Sequence, residues 1–228
     1  MELTKSKMKL LEAAIPSGTL KFGEFKLKSG RISPYFWNAA AMSDGNSCSL
    51  EGIAYATKLT EIGTDKFDVV FGPAYKAIPI SVSTAISLKR DYDINKMFAY
   101  DRKLPKDHGD PMDRLINGRL DTGDRIMILD DVITTGKTKK DEIKLLDDLN
   151  KELEVVGILI GLNRKETDKE GNDPVKVLQD EVGVPVYSIL NSVDIFELLH
   201  NKEILGNVWV DDEKYNQFQE YKAKYGVN

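Results

Sequence analysis

Two adjacent carboxylates, Asp130 and Asp131, lie in the segment IMILDDVITTGKT at 126–138. Of all segments in this sequence, this one holds the residue types best suited to chemistry. Four apolar residues run directly into the carboxylates, and a turn rich in glycine and hydroxyl groups follows. A buried strand that leads into the start of a helix presents unpaired backbone N–H groups and the positive end of a helix dipole, which suit a phosphate dianion. The stretch therefore predicts a phosphate site at the turn, with hydroxyl groups or a metal ion held at the carboxylates.

The end of this stretch, Gly136-Lys137-Thr138, looks like the end of a nucleotide-binding P-loop. A P-loop has a glycine five positions before its Gly-Lys pair, and the residue at that place here is Asp131. Because the carboxylates precede the turn, we interpret the stretch as a different phosphate-binding device. A plainer interpretation, an acidic strand end followed by an ordinary helix cap, stays open on these residues alone.

The composition limits the classes of protein to which the chain could belong. Its 228 residues and net charge of -5 indicate a core of ordinary size and no overall basic field for nucleic acid. Cys48 is the only cysteine, which excludes a disulfide within the chain and argues against a zinc finger. No apolar run approaches the ~18 residues of a membrane span, and the lysine-rich start lacks the apolar core of a signal peptide. We therefore expect a cytoplasmic protein that binds neither nucleic acid nor membrane.

Short apolar runs that alternate with helical patterns predict an α/β fold. The runs are mostly continuous, as in parallel strands buried on both faces, and lie at 67–71, 96–100, 125–129, 155–162 and 184–190. Helical patterns cover about 6–14, 50–62, 78–89 and 138–149. We expect a central parallel sheet flanked by helices, with ligands at the carboxyl ends of its strands.

Two segments do not follow this alternation. Residues 21–37 are punctuated by glycine and proline, and they predict a small N-terminal hood over a sheet edge, formed mainly by about 1–40. Residues 101–120 hold two prolines, two glycines and many charges without clear periodicity, which is typical of a functional lid or of disorder. We expect a single domain over 1–228 with a long flexible loop at about 101–120.

The acidic pair and its turn resemble the phosphoribosyl-diphosphate (PRPP) motif of the type I phosphoribosyltransferases. The resemblance implies that family's α/β fold, with Asp130 and Asp131 on the 2′- and 3′-hydroxyls of the ribose. It also implies that the turn holds the 5′-phosphate, through Val132, Ile133, Thr134, Thr135, Gly136, Lys137 and Thr138. Lys137 departs from the family pattern, which has a small residue at that place.

Within that family, the segment LKSGRISPYFWN at 27–38 resembles the orotate phosphoribosyltransferases. The resemblance implies that Lys28 contacts PRPP and that Phe36 and Trp37 line the orotate site together with Thr134. A flat pyrimidine stacks well on aromatic faces. Trp37 is a mild departure, since relatives often have Phe there.

The segment LIGLNRKE at 159–166 resembles the same enzymes and delivers Arg164 at the end of a predicted strand. Arginine presents a planar fork that matches a carboxylate in bidentate fashion. Since orotate differs from uracil by a carboxylate, the resemblance implies that Arg164 recognises orotate.

Two cationic segments complete the resemblance. FGPAYKAIPI at 71–80 resembles the family's loop for the pyrophosphate of PRPP, which implies that Tyr75 and Lys76 bind there. DRKLPKDHGD at 101–110 resembles the catalytic loop, which closes over PRPP and in the family reaches into the neighbouring subunit. The catalytic residues that this implies are Lys106, as the principal one, with Arg102, Lys103 and His108, all of which would also contact PRPP.

The resemblance covers nearly the whole chain, from about Leu20 to the C-terminal helix. It implies transfer of the 5-phosphoribosyl group from PRPP to orotate, giving orotidine 5′-monophosphate and pyrophosphate, in de novo pyrimidine (UMP) biosynthesis. Mg²⁺ is the implied cofactor, held mainly by PRPP and water, with few or no direct protein ligands, near Asp130 and Asp131. A homodimer that shares the lid loop between subunits is implied in the same way.

Two alternatives to this function remain on the sequence. The first is a phosphoribosyltransferase for another base, against which Phe36, Trp37 and Arg164 argue. The second is a PRPP-sensing regulator that binds nucleic acid. Such a regulator needs a basic surface or an added DNA-binding module, and neither is apparent in the sequence.

Overall fold

Strands and helices alternate over most of the chain in this computed structural model, which describes residues 3–104, 106–107, 114–133, 137–149 and 151–227. The strands are β1 (Leu20–Lys26), β2 (Ile32–Trp37), β3 (Val69–Phe71), β4 (Met97–Asp101), β5 (Ile116–Gly118), β6 (Arg125–Val132), β7 (Glu154–Asn163), β8 (Val186–Asn191), β9 (Glu203–Ile204) and β10 (Asn207–Val208). The helices are α1 (Lys5–Ala14), α2 (Gly45–Ile62), α3 (Ala77–Tyr92), α4 (Lys137–Asp147), α5 (Pro174–Val182), α6 (Ser192–Leu199) and α7 (Asp212–Tyr225), with 3-10 turns at Ala39–Ala41 and Thr64–Lys66.

A central sheet with the strand order β5-β4-β3-β6-β7-β8 organises the fold. Neighbouring strands from β4 to β8 pair in parallel, and β5 pairs antiparallel with β4. Each of the five predicted strands overlaps a strand of this sheet, so the α/β prediction is confirmed. The edge strand β5 lies inside the segment predicted as a loop, and the expectation of an unstructured connection over all of 101–120 is wrong at that strand.

The middle strands of the sheet are buried on both faces, which explains their continuous apolar sequence. Ile126, Met127, Ile128 and Leu129 of β6 are at most 1% exposed. Burial of one such side chain contributes roughly 1.5–3 kcal/mol. These four residues fix β6 in the centre of the sheet and thereby fix where its carboxyl end, with the acidic pair, must lie.

Helix α2 begins five residues before the predicted start because its first turn is capped by side chains. The carboxylate of Asp44 accepts hydrogen bonds from the backbone N–H groups of Asn46 and Ser47, at 2.9 and 3.0 Å. The Ser47 side chain lies 3.3 Å from the backbone N–H of Asp44, which completes a capping box. The earlier start matters for the site, since α2 carries Glu51 and Tyr55 to a position beneath the acidic pair.

The sheet has an apolar core on each face. On one face the core includes residues of α1, α2, α3, α6 and α7, and on the other it includes Leu146 of α4 and Leu178 of α5. On the first face, Phe196 stacks on Phe218 with ring centroids 3.9 Å apart. In the described part of the chain, no helix is both long and apolar enough to cross a membrane.

The predicted hood is a hairpin of β1 and β2, in which Leu20 lies opposite Trp37. Two of its aromatic rings, Phe22 and Tyr35, pack edge-on against Phe196 of α6, at centroid distances of 5.6 and 5.9 Å. Helix α7 packs against β2 from the C-terminal end of the chain. The hood is therefore held to helices α6 and α7 by an aromatic cluster.

Candidate active site

A cleft of ≈ 270 Å³ opens at the carboxyl ends of β3 and β6. These strands are neighbours in the sheet, so the loops at their carboxyl ends, within the segments 71–80 and 126–138, come together there. The residues that line the cleft are Pro73, Ala74, Tyr75, Lys76, Asp130, Asp131, Val132, Ile133, Thr138, Lys139 and Glu142. The structure thus joins two of the segments that the sequence singled out as binding loops.

The acidic pair is held in place by its own backbone. The Asp130 carboxylate accepts a hydrogen bond from the backbone N–H of Asp131 at 2.8 Å, and the Asp131 carboxylate accepts one from Val132 at 2.9 Å. From beneath, the Tyr55 hydroxyl donates to the carbonyl oxygen of Asp130 at 2.6 Å. Both carboxylates therefore have fixed directions at the edge of the cleft.

Each carboxylate of the pair has a lysine of its own. Lys76 Nζ lies 3.3 Å from Asp131 Oδ2. Lys139 Nζ contacts Asp130 Oδ2 and lies 2.7 Å from Glu142 Oε2. The Lys76 side chain is 53% exposed and that of Lys139 is 3% exposed. Lys76 can therefore reach a ligand in the cleft, whereas Lys139 is buried between two carboxylates.

Sequence reasoning missed Lys139 and Glu142. The sequence analysis placed both residues only within a helical pattern at 138–149. A signal was present, since Lys139, Glu142, Ile143 and Leu146 stand at i, i+3, i+4 and i+7 and share the inward face of α4.

Three acids in or beside the cleft, Asp131, Glu51 and Glu142, have raised pKa values because burial largely excludes water from them. Burial, followed by the neighbouring Asp130, raises the pKa of Asp131. Burial and Asp131 raise the pKa of Glu51 to about 8, and burial raises that of Glu142 to about 7 although Lys139 opposes it. At neutral pH the site therefore holds less negative charge than its count of carboxyl groups indicates.

The loop after β3 is shaped by a backbone approach that only glycine permits. A Cβ atom on Gly72 would lie 2.1 Å from the carbonyl oxygen of Ala77. The buried carboxylate of Asp101, at the end of β4, accepts a hydrogen bond from the backbone N–H of Ala74 at 2.5 Å. Asp101, which the sequence analysis did not single out, thus anchors the loop that presents Tyr75 and Lys76.

Arg102, Lys103 and Lys106, the cations of the predicted lid that the structure describes, do not line the cleft. The backbone N–H of Arg102 donates to the carbonyl of Leu115 at 2.7 Å, and its guanidinium donates to Asn117 Oδ1 at 2.7 Å. Lys103 Nζ lies 3.4 Å from Asp101 Oδ2, and the Lys106 side chain is exposed. These contacts continue the pairing of β4 with β5 into the base of the segment. His108 lies outside the described residues.

The residues predicted for the 5′-phosphate are described only in part. Val132, Ile133 and Thr138 line the cleft, and Thr138 lies in the first turn of α4. Thr134, Thr135 and Gly136 lie outside the described residues, and for Lys137 only the helical backbone is described. The described part places the start of a helix at the cleft, as the motif requires.

The residues predicted for the base lie on the hood side of the sheet. Phe36 stacks on Phe25 at 5.5 Å and is 36% exposed, and Trp37 is buried in the core. Lys28 is exposed in the turn between β1 and β2. None of these three side chains lines the cleft, and the indole N–H of Trp37 has no hydrogen-bond partner among the described residues.

The guanidinium of Arg164 is held by the hood and by its own loop. It lies 2.7 Å from Glu166 Oε1 and 4.6 Å from the centre of the Tyr35 ring. It also lies 3.5 Å from Ser33 Oγ. These neighbours fix the direction of the arginine between hood and sheet, outside the cleft that the acidic pair lines.

Comparisons with known proteins find similarity to phosphoribosyltransferases in both sequence and structure. The profile of the phosphoribosyl transferase domain family matches residues 49–193, which include both loops at the cleft. The chain is 36% identical over 221 residues to an orotate phosphoribosyltransferase of Clostridium acetobutylicum, over 97% of this chain and 98% of that protein. It is 36% identical over 220 residues to an orotate phosphoribosyltransferase of Acinetobacter baumannii, over 95% of this chain and 94% of that one. A crystal structure of the Francisella tularensis orotate phosphoribosyltransferase is 30% identical with a TM-score of 0.80, over 95% and 98% of the two chains.

Proposed function

Because this chain belongs to the orotate phosphoribosyltransferases, a branch of the phosphoribosyl transferase family, we propose that PRPP binds in the cleft between β3 and β6. The chain transfers the 5-phosphoribosyl group of PRPP to orotate, which gives orotidine 5′-monophosphate and pyrophosphate in pyrimidine biosynthesis. The observation that carries the placement is the meeting of the acidic pair with the loop of Lys76 around one cleft.

The ribose of PRPP lies against the acidic pair. Asp130 and Asp131 accept hydrogen bonds from its 2′- and 3′-hydroxyls, and their backbone contacts support this role because they hold the carboxylates ready. The 5′-phosphate lies at the start of α4, where Thr138 donates through its hydroxyl and residues 133–137 donate through backbone N–H groups, next to Val132 in the lining of the cleft. The positive end of the α4 dipole favours that dianion.

The pyrophosphate of PRPP lies on the loop of Tyr75 and Lys76. Lys76 is half-exposed and 3.3 Å from Asp131, so a modest rotation of its flexible stem brings the ammonium to a pyrophosphate oxygen. Asp101 fixes the backbone of this loop from below. The loop therefore supplies a positive charge at the bond that breaks.

The lid brings further cations to the leaving group. Lys106 is the principal catalytic residue, and Arg102, Lys103 and His108 assist it by neutralising the charge that builds on pyrophosphate. Preorganised charge of this kind is often the largest contribution to catalysis. The lid closes about its base, the extended pairing of β4 and β5, and so excludes the water that would otherwise hydrolyse PRPP.

Orotate enters from the hood side. Arg164 recognises its carboxylate, and the exposed face of Phe36 flanks the ring, with Lys28 and Thr134 at its border with PRPP. Trp37, buried on the other face of β2, supports the hood from behind. The contacts of Arg164 with Glu166 and Tyr35 support this role because they hold the guanidinium in one direction before orotate binds. The acceptor nitrogen then displaces pyrophosphate at the anomeric carbon.

Magnesium fits the donor chemistry of the cleft. Carboxylate oxygens are hard ligands of the kind that Mg²⁺ prefers, and Asp130 and Asp131 present them side by side. Among the residues that the structure describes, no group of three or more potential metal-ligating side chains is gathered in one place. When bound, Mg²⁺ would take most of its ligands from PRPP oxygens and water, and it would supply positive charge near the leaving pyrophosphate.

Three further properties belong to this proposal. The chain acts as a homodimer in which the lid of one subunit reaches the cleft of the other. It forms one domain over 1–228, with the hood as an appendage of the sheet. It works in the cytoplasm, where the other steps of nucleotide synthesis are expected.

Release of pyrophosphate from PRPP in the presence of each of four bases tests this assignment. We expect release with orotate and magnesium, and only background release with uracil, adenine or hypoxanthine. Release with one of the other bases and not with orotate would contradict the placement of Arg164 as the residue that selects the acceptor. Omission of magnesium should abolish release with orotate.

A further inference from the structure

The buried ammonium of Lys139 has no part in the roles proposed so far. Its side chain is 3% exposed, and its Nζ contacts Asp130 Oδ2 on one side and Glu142 Oε2, at 2.7 Å, on the other. Burial alone would lower the pKa of Lys139, but the two carboxylates outweigh burial and raise it. Lys139 therefore carries a positive charge at neutral pH, at the edge of the cleft that it lines.

Lys139 completes the set of contacts around Asp130. One carboxylate oxygen accepts from the backbone N–H of Asp131 at 2.8 Å, and the other contacts the ammonium. The carbonyl oxygen of the same residue accepts from Tyr55 at 2.6 Å. With each of its oxygens engaged, Asp130 has one direction to present to a ligand.

The two lysines of the acidic pair differ in how firmly they are held. Lys76 is 53% exposed and lies on the loop after β3, so its contact with Asp131 can be exchanged for a contact with a ligand. Lys139 is buried within the helix α4 and also pairs with Glu142 one turn further on, so exchanging its contact with Asp130 would also break its contact with Glu142. The ion pair of Lys76 with Asp131 can therefore open when a ligand binds, whereas the ion pair of Lys139 with Asp130 stays closed.

We propose that Lys139 is a positioning residue for PRPP binding: it fixes the Asp130 carboxylate, and Glu142 fixes Lys139 in turn. This inference rests on the proposed role of Asp130 at the ribose hydroxyls. A carboxylate held before the substrate arrives loses less conformational freedom on binding, which favours affinity. The same contact holds the charge of Asp130 beside a cation, so a polyanionic substrate meets less repulsion at that carboxylate.

A competing, purely structural role for Lys139 would be to neutralise Glu142. The Oε1 atom of Glu142 is buried and has no hydrogen-bond partner among the described residues. If neutralisation of Glu142 were the only role, removal of both charges together would restore the protein. If Lys139 positions Asp130, the same double change would leave PRPP binding impaired.

The test compares Lys139→Met, the double variant Lys139→Met/Glu142→Gln and the control Lys140→Met. Lys140 is the next residue of α4, is 42% exposed and pairs with Glu181 of α5 away from the cleft. PRPP binding is measured by calorimetry with magnesium and without orotate, and the KM values for PRPP and orotate are measured by pyrophosphate release. The double variant guards against a failure of Lys139→Met to fold.

We expect the double variant to bind PRPP at least about tenfold more weakly, the scale of one lost charge-assisted hydrogen bond. The KM for orotate should stay within about twofold, and so should both constants of Lys140→Met, since exposed ion pairs contribute little. Wild-type PRPP affinity in the double variant would overturn the positioning role. An Asp130→Asn variant separates the role of Asp130 from that of Lys139. Wild-type PRPP affinity in Asp130→Asn would overturn the role of Asp130 itself. Weakened PRPP binding in Asp130→Asn, together with wild-type affinity in the double variant, would overturn only the role of Lys139.

Discussion

Glu51 should make the protein less stable as the pH rises, and its replacement by glutamine should remove that effect. Glu51 lies on α2, is 3% exposed and interacts with the carboxylate of Asp131. Burial and Asp131 raise its pKa from 4.5 to about 8. The folded protein therefore holds this proton more tightly than the unfolded chain does, and Glu51 is mostly neutral at pH 7.

The sign and size of the effect follow from this difference. The contribution of the proton to stability is complete below about pH 4.5 and is lost as the pH rises through about 8. Each pH unit in that window changes the free energy of unfolding by about 1.4 kcal/mol. Relative to a neutral side chain, wild-type Glu51 should therefore destabilise the protein by roughly 1 kcal/mol at pH 5 and by about 3 kcal/mol at pH 7.

Urea unfolding of the wild type and Glu51→Gln between pH 5 and pH 8 measures this directly. The glutamine variant should be more stable, and its advantage should widen steadily with pH because glutamine does not titrate. Glu61→Gln changes a carboxyl on the same helix that is 37% exposed and controls for the amide substitution itself. Parallel pH profiles for the wild type and Glu51→Gln would refute the reasoning, since they would mean that Glu51 takes up no extra proton on folding.

Three further variants test other parts of the site. Lys106→Ala should lower turnover by about 100-fold or more, the scale of one lost electrostatic catalytic group, while the KM for orotate barely changes; near-normal turnover in that assay would contradict the catalytic role. Arg164→Ala should weaken the binding of orotate by roughly 10-fold or more, as expected for the loss of a charged hydrogen bond, and should weaken the binding of PRPP much less in the same titration. Equal losses of affinity for orotate and PRPP would count against selection of the base by this residue. Gly72→Ala places a Cβ 2.1 Å from the carbonyl oxygen of Ala77 and should destabilise the protein by about 1–3 kcal/mol in thermal unfolding, together with a higher KM for PRPP; an unchanged melting temperature would show that the loop relaxes freely.

The parallel sheet could be predicted from the sequence because its strands are buried on both faces. Continuous apolar runs such as that of β6 are a direct consequence of that burial. The edge strand β5 carries no such signal, since it has three residues, lies on the sheet edge and follows a highly charged segment. Only its pairing with β4 makes it a strand, and pairing depends on residues far apart in the sequence.

The candidate site could be predicted only where a local motif marks it. Asp130 and Asp131 follow their strand directly, and Lys76 follows its own strand, so the parallel sheet brings them together. The places of Lys139 and Glu51 at the site could not be predicted, because a charged residue in a helix usually faces water. Their burial depends on how α4 and α2 pack against the sheet, which brings Lys139 to Asp130 and places Glu51 close enough to Asp131 for the two carboxyl groups to interact electrostatically.

A crystal structure of the protein with magnesium, PRPP and orotate tests the central claim most directly. We predict density for PRPP in the cleft between β3 and β6, with the ribose hydroxyls on Asp130 and Asp131 and the pyrophosphate on the loop of Lys76. Orotate should lie on the hood side with its carboxylate toward Arg164. Density for PRPP elsewhere, with the acidic pair still joined only to its two lysines, would contradict the account.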